Sequence, residues 1–321
     1  MKLTIISQYK FNNGKVFLNP LGSSKKYTID AKKLEISIAE KRFDFRGLDK
    51  DIISYKKWYE NGWGESVPFY LSTLDGKYED AGCNFNDVHK KVLAVYADKD
   101  EFPSELIPNS ETVYELKNDI DQNFSRKDIL VNRRTTYIPQ GSRLKYSDIS
   151  HILLDGFDKL SEFRTIDNQK NPLNALVNFG PSLDVYVVVY SVEGMDEGIY
   201  RYDLVNKNLL QIDNKADRKE FQEALVGQPA PLTSSVSVIY VSDIKRHQWR
   251  YRHERALRGL WIDTAKVTNE LLWKLASLAI TPHITPAFRD SRILGLLGLP
   301  ADLSYLPVYA VSFKGSEKNH E

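Results

Sequence analysis

The chain has 321 residues, about twice the length of a common domain, so a core domain with an auxiliary segment is expected. Hydrophobic residues make up 42% of it and include 18 Tyr and 14 Phe among the apolar and aromatic side chains, enough to bury a substantial core and to exclude a disordered chain. Lys plus Arg (44) nearly cancels Asp plus Glu (43), and the formal charge of +1 gives no global field for nucleic acid or an anionic membrane.

Residues 1–75 read as short strands with one short helix: Lys2 to Ile6 and Val16-Phe17-Leu18 alternate, and Asn12-Asn13-Gly14 and Asn19-Pro20 are turn signals. Met1 to Gln8 lacks the apolar run of a signal peptide, and the single cysteine, Cys83, has no internal partner, so a cytoplasmic location is expected. Ile52 to Trp58 fits a helix broken by Asn61-Gly62-Trp63-Gly64, which also fits a packed aromatic turn. Residues 98–126, rich in Asp, Glu, Ser, Asn and Pro, read as a linker or domain boundary. The expected division is therefore an auxiliary domain over 1–120, with a peptide-binding role, and a second domain over 121–321.

The second domain begins helically, with a helix start at Asp128 and an amphipathic helix over Ser147 to Leu154. Val185 to Val192 is β-branched and aromatic, with apolar residues on both faces, so it is expected at the centre of a sheet covered on both sides. Glu193 to Gly198 turns the chain into Ile199 to Asp203, and Leu209 to Ile212 follows, giving an antiparallel meander. Another strand is expected over Ser234 to Val241 and the last over Leu306 to Phe313. Between them, Glu254 to Leu278 reads as one long helix with an apolar stripe of Leu257, Leu260, Trp261, Thr264, Thr268, Leu271, Leu275 and Leu278, placed in the core or at a subunit interface. Its most apolar part, Leu271 to Ile280, is interrupted by Lys274 and Ser277 and is too short to cross a bilayer.

No Walker-type phosphate loop, dinucleotide glycine turn, zinc-protease histidine pair or cysteine pair is present, and the six scattered histidines suggest no metal site. Ser182 follows Gly180-Pro181 without the glycine-flanked elbow of a hydrolase nucleophile. Two basic clusters stand out. Asn132-Arg133-Arg134-Thr135-Thr136 offers adjacent guanidiniums and hydroxyls, which fit a phosphate grip or a solvated surface. Lys245 to Arg258 holds eight cationic or histidine residues in fourteen positions with interleaved aromatics, which suits RNA, phosphate or an acidic peptide, or else a salt-bridged helix end.

In order along residues 125–315, these clusters and three further segments resemble the SagB-type dehydrogenases, the azoline dehydrogenase branch of the nitroreductase superfamily. Arg133-Arg134-Thr135 matches the family's opening Arg-Arg-Ser/Thr, Asn178 to Tyr186 its flavin-facing turn and strand, and Glu193 to Asp203 a hallmark segment. Trp249 to Arg258 with Asp263 resembles the stretch carrying the family's Lys-Tyr pair, and Thr285 to Asp290 with Leu296 to Pro300 its closing signature. Lys57 to Tyr70 also looks like the segment that precedes the catalytic domain in many such proteins.

The resemblance implies an α+β, nitroreductase-like fold: a central, mainly antiparallel sheet flanked by helices, with a smaller N-terminal α/β segment, assembled as a homodimer whose interface completes a flavin pocket. It implies FMN, with Arg133, Thr135 and neighbouring Arg134 on the phosphate and Asn178 and Ser182 near the ring system. The implied activity is oxidation of azoline rings to azoles in a ribosomally made peptide, with a cyclodehydratase complex as a further partner. Arg250 precedes Tyr251 where the family has Lys then Tyr, and arginine is a poor general base. Tyr251, with its phenol acidified by Arg250 and Arg252, and Lys245 are the remaining candidate bases. Tyr137 stands where a basic phosphate contact is common, and Ala265-Lys266 replaces a usual Gly-His. The missing lysine also suits the reverse chemistry, NAD(P)H-dependent reduction of an activated double bond or nitro group. A third expectation is a non-catalytic peptide-binding module.

Overall fold

The computed structural model describes residues 6–12, 15–20, 27–30, 85–99, 104–117, 129, 131, 133–165, 182–251, 256–301 and 304–316; before residue 91 only backbone elements are described. The chain divides into two compact units, residues 1–81 and 82–321.

In the first unit β1 (Ile6–Asn12), β2 (Lys15–Pro20) and β3 (Tyr27–Asp30) form an antiparallel sheet in that order. Asn19-Pro20, expected to turn, instead ends β2 opposite Gln8 and Ile6, where the register shifts. A proline at the end of a strand, beside an irregularity, removes no interior ladder bond. The expected strand residues 2–5, helix 52–58 and turn 61–64 lie outside the described residues.

The second unit opens with α1 (Phe85–Lys99), a helix with no sequence counterpart above, followed by coil and the short strand β4 (Val113–Glu115). β4 lies inside the stretch expected as a linker, yet it pairs with β9. There follow β5 (Leu144–Lys145), α2 (Tyr146–Gly156), α3 (Asp158–Thr165), β6 (Leu183–Val189), β7 (Val192–Glu193), β8 (Gly198–Asp203) and β9 (Asn208–Asp213). Then come α4 (Arg218–Ala224), α5 (Ala230–Thr233), β10 (Val236–Asp243), α6 (Ile244–Arg250), α7 (Ala256–Ser277), β11 (His283–Thr285), α8 (Asp290–Leu296) and β12 (Tyr305–Phe313).

The main sheet has seven antiparallel strands in the order β11-β12-β10-β6-β8-β9-β4, so β6, from the segment expected at the centre, is the middle strand. Its side chains alternate between two apolar layers, as the period of two requires. Val185, Val187 and Val189 join Val236, Val238 and Tyr240 of β10 against Ile149, Ile152 and Leu153 of α2 and Leu260, Leu271 and Leu275 of α7. Tyr186 and Val188 face the other way, with Ile239 and Val241, onto Phe221 of α4 and Ile293 of α8. Each fully buried valine or leucine contributes about 1.5–3 kcal/mol by leaving water, so the two-sided cover is what makes so apolar a strand stable. The α+β architecture, with a mainly antiparallel sheet between helical layers, is the one expected.

On the first face α7 lies against α2 at Gly156, where an added Cβ would sit 2.9 Å from Leu271 Cδ1. Thr264 and Thr268 are buried on α7 because each hydroxyl donates back to a carbonyl one turn earlier, at 2.8 Å. Trp261, expected in the buried stripe, is half exposed; Val267 and Leu272 take the interior positions instead. Both sets are compatible with a helical period, and only the width of the facing layer selects between them.

Candidate functional site

The Arg133-Arg134-Thr135 segment leaves a helical turn, with Arg133 N donating to Ile129 O at 3.0 Å. The next residue is clamped to the edge strand: Thr136 N donates to Pro282 O at 2.9 Å, and His283 Nδ1 lies 3.0 Å from Thr136 O. Tyr137 stacks edge-on to the His283 ring at 5.7 Å. His283 is itself braced by Gln228, whose amide also bonds Thr285 Oγ1 at 2.9 Å. Arg133, Arg134 and Thr135 are therefore exposed on a backbone that is held in place, and neither guanidinium has an ion pair among the described residues. Two open guanidiniums beside a hydroxyl are a donor set that fits a phosphate.

The remaining described candidates sit where β6, β10 and α6 meet. Asp243 caps α6 by accepting from Arg246 N at 3.1 Å, and its own N–H donates to Ser182 O at 2.8 Å. Ser182 is buried; its hydroxyl lies 3.3 Å from His247 Nδ1 and 3.4 Å from Ser242 Oγ, so it faces the interior of this junction. Lys245 is exposed on the first turn of α6. Tyr251 ends the helix, its N–H bonded to His247 O at 3.0 Å, its ring 5.1 Å from the His247 ring and 4.8 Å beneath the Arg250 guanidinium. Asn178 lies outside the described residues.

Tyr251 as a base requires its neighbours to acidify the phenol. The balance runs the other way: burial raises its pKa and Asp263 adds to the rise, while Arg250 opposes both without prevailing. Burial likewise raises the carboxyl of Asp263, against Lys266 and Arg250. At neutral pH the phenol keeps its proton and is equipped to donate it.

A third group was not singled out in the sequence. Asp184, fully buried on β6, receives Arg164 of α3 at 3.1 Å, Arg201 of β8 at 3.3 Å and Arg246 of α6 at 3.1 Å. Burial works against its charge, but the three guanidiniums outweigh it and hold the carboxyl at about 2. Arg201 in the run Ile199 to Asp203 carried the available signal: a cation inside a fully buried strand must have an anion beside it.

The two sets of described candidates are anchored at different levels of the sheet. Thr136 is bound next to His283, which pairs with Ser312 and through it lies level with Ser237 near the start of β10. Ser182, Arg250 and Tyr251 gather at the end of β10, at Asp243. The five-residue step from Ser237 to Ser242 alone separates the levels by roughly 17 Å.

No family model matches the chain. It is 27% identical over 194 residues to the trifolitoxin operon protein TfxC of Rhizobium leguminosarum bv. trifolii, covering 58% of this chain and 54% of that protein. It is 23% identical over 173 residues to a protein of Methanocaldococcus jannaschii assigned as a nitroreductase, covering 53% of this chain and 83% of that one. Its structure is similar to the crystal structure of a protein from Anabaena variabilis assigned as a nitroreductase, with a TM-score of 0.53 at 16% identity, over 76% of this chain and 49% of that one. The chain thus spans about half the length of TfxC and of the Anabaena protein. The fold is nitroreductase-like.

Proposed function

We propose that this chain is an FMN-dependent oxidoreductase of the SagB type, oxidising azoline rings to azoles in a ribosomally made peptide. The observation that carries the reading is the exposed Arg133-Arg134-Thr135 segment, clamped to the sheet edge through Thr136 on a nitroreductase-like fold. The similarity to a protein named for a trifolitoxin operon supports a natural-product role, and the SagB-type reading adds a peptide substrate and a cyclodehydratase as partner.

In this reading Arg133 and Arg134 grip the FMN phosphate by charge-assisted hydrogen bonds and Thr135 adds a hydroxyl donor, while Asn178 and Ser182 lie toward the ring system. Bound FMN supplies the site that accepts or delivers hydride. Arg250, beneath which Tyr251 lies, orients the phenol and attracts an anionic group of the substrate, and Tyr251 handles the proton at its Oη. Lys245, exposed on the first turn of the same helix, is the alternative amine for that proton. The phosphate residues and Tyr251 stand at different levels of the sheet, and the SagB-type reading adds a homodimer whose interface completes the pocket. Residues 1–120 are assigned to peptide binding.

The test is to incubate the purified chain with a cyclised peptide under air. Loss of two mass units from the peptide, in a yellow protein, is the expected result; a colourless protein would remove the flavin, and an unchanged peptide mass the azoline substrate. A second reading, reduction of an activated double bond with NAD(P)H, is favoured by one observation, the raised pKa that keeps the Tyr251 phenol ready as a proton donor. It predicts a strict NAD(P)H requirement and a gain of two mass units.

A further inference from the structure

The buried arginine cluster takes no part in the chemistry proposed above. Arg164, Arg201 and Arg246 converge on Asp184 with side chains no more than 5% exposed, and one carboxylate does not neutralise three guanidiniums. Asp243 lies nearby but is committed to capping α6, and burial pushes its carboxyl toward the neutral form. Burial, with the neighbouring Arg246 adding to it, pulls Arg164 below its usual pKa.

The missing counter-charge is Glu105. It arrives from a coil, residues 104–112, and its carboxylate bonds both Arg164 and Arg201, the latter at 2.5 Å. Its side chain is 18% exposed, whereas Asp184 is 2% exposed, so Glu105 closes the cluster from the solvent side. Even so, Nε of Arg164 and both Nε and Nη1 of Arg201 are buried without a hydrogen-bond partner. The coil is otherwise lightly held. Its next residues, Leu106 and Ile107, are each 51% exposed, and among the described residues its hydrogen bonds apart from Glu105 lie at the far end, where Thr112 O accepts from Gln211 N and from Ser110 Oγ.

We propose that Arg164 and Arg201 form a carboxylate-binding site that Glu105 occupies from within the chain, and that a carboxylate carried by a peptide, on an acidic side chain or at a C-terminus, takes its place. The planar guanidinium fork suits a carboxylate, the occupant already is one, and three buried donors of these two arginines are left without a hydrogen-bond partner. Arg246 belongs to the same cluster and stands one turn before Arg250 on α6, so the exchange is felt by the helix that carries Arg250 and Tyr251. The site stands whether or not the chain holds FMN.

The first measurement uses E105A in the full chain, titrated with sodium acetate against sodium chloride at matched ionic strength. A saturable rise in Tm with acetate alone is expected for the variant, and equal responses to the two salts for the wild type. The second uses the wild type, which does not depend on the variant folding. Amide hydrogen exchange over residues 104–112 is followed with three forms of one peptide: Glu-containing with an amidated C-terminus, Gln-containing with a free C-terminus, and Gln-containing with an amidated C-terminus. Exchange is expected to rise about threefold or more with one or both carboxylate forms and not with the neutral form, and the form that acts identifies the source. Equal exchange with all three peptides, or an acetate response in E105A no larger than that to chloride, overturns the proposal.

Discussion

Arg133 and Arg134 are the residues on which the cofactor assignment turns. Charge-assisted hydrogen bonds contribute about 1.5–3 kcal/mol each, so replacing either with Ala is expected to weaken FMN binding about 10- to 100-fold, and replacing both to give colourless protein. Flavin absorbance retained after gel filtration of the double variant would remove the phosphate assignment. Tyr251→Phe is expected to keep FMN and to lose turnover by about 10²–10⁴-fold. Because burial holds the phenol protonated, a reduction that needs its proton falls only as pH rises through the raised pKa, whereas an oxidation that needs the phenolate rises over the same range; the variant lacks either limb. At Asp184 the sign is opposite. Its pKa falls from 3.8 to about 2, so its stabilising contribution is present above 3.8 and disappears as pH drops toward 2. An acid titration followed by circular dichroism is expected to show that loss in the wild type and not in D184N, which begins less stable.

At the scale of elements, the long strands of the main sheet were legible, and the shortest strands and the ends of helices were not. Val185 to Val192 announced a central strand because no polar residue interrupts either face before Ser191. The close of α4 could not be read, because the chain places Val226 at φ 58, followed by Gly227 at φ 81. Gly227 N bonds back to Gln222 O at 2.8 Å, the bond that closes a helix through a left-handed residue. A β-branched side chain there is strained, and at 51% exposure it returns little by burial. Val226→Gly is expected to stabilise the protein by about 1 kcal/mol, seen as a higher urea midpoint with an unchanged slope. Likewise β4, three residues long and within a polar stretch, has too little pattern to be distinguished from a linker; it is a strand because β9 offers it an edge.

At the scale of the molecule, Ile262 and Trp273 of α7, eleven residues apart and so on one helical face, are 56% and 43% exposed. The long helix was expected in the core or at an interface, and its inner face serves the core while the outer face carries these two apolar side chains beside Lys266 and Asn269. If a second copy covers it, Ile262→Glu is expected to convert dimer to monomer in sedimentation velocity and to weaken FMN binding about tenfold or more, with the fold unchanged. A wild-type chain that sediments as a monomer would withdraw the two-copy pocket.

The sequence by itself determined the class of this protein: a two-sided apolar strand, an antiparallel meander and a long amphipathic helix are written in local periodicity, and the ordered segments pointed to a nitroreductase-like fold. It also marked Arg133, Arg134 and Thr135, since adjacent charges are visible without knowing their surroundings. Only the tertiary structure decided that the Tyr251 phenol is pushed up rather than down, because burial is a sum over distant neighbours. Only it brought Glu105, Arg164, Asp184, Arg201 and Arg246 together from five places along the chain, a meeting that no spacing in the sequence encodes.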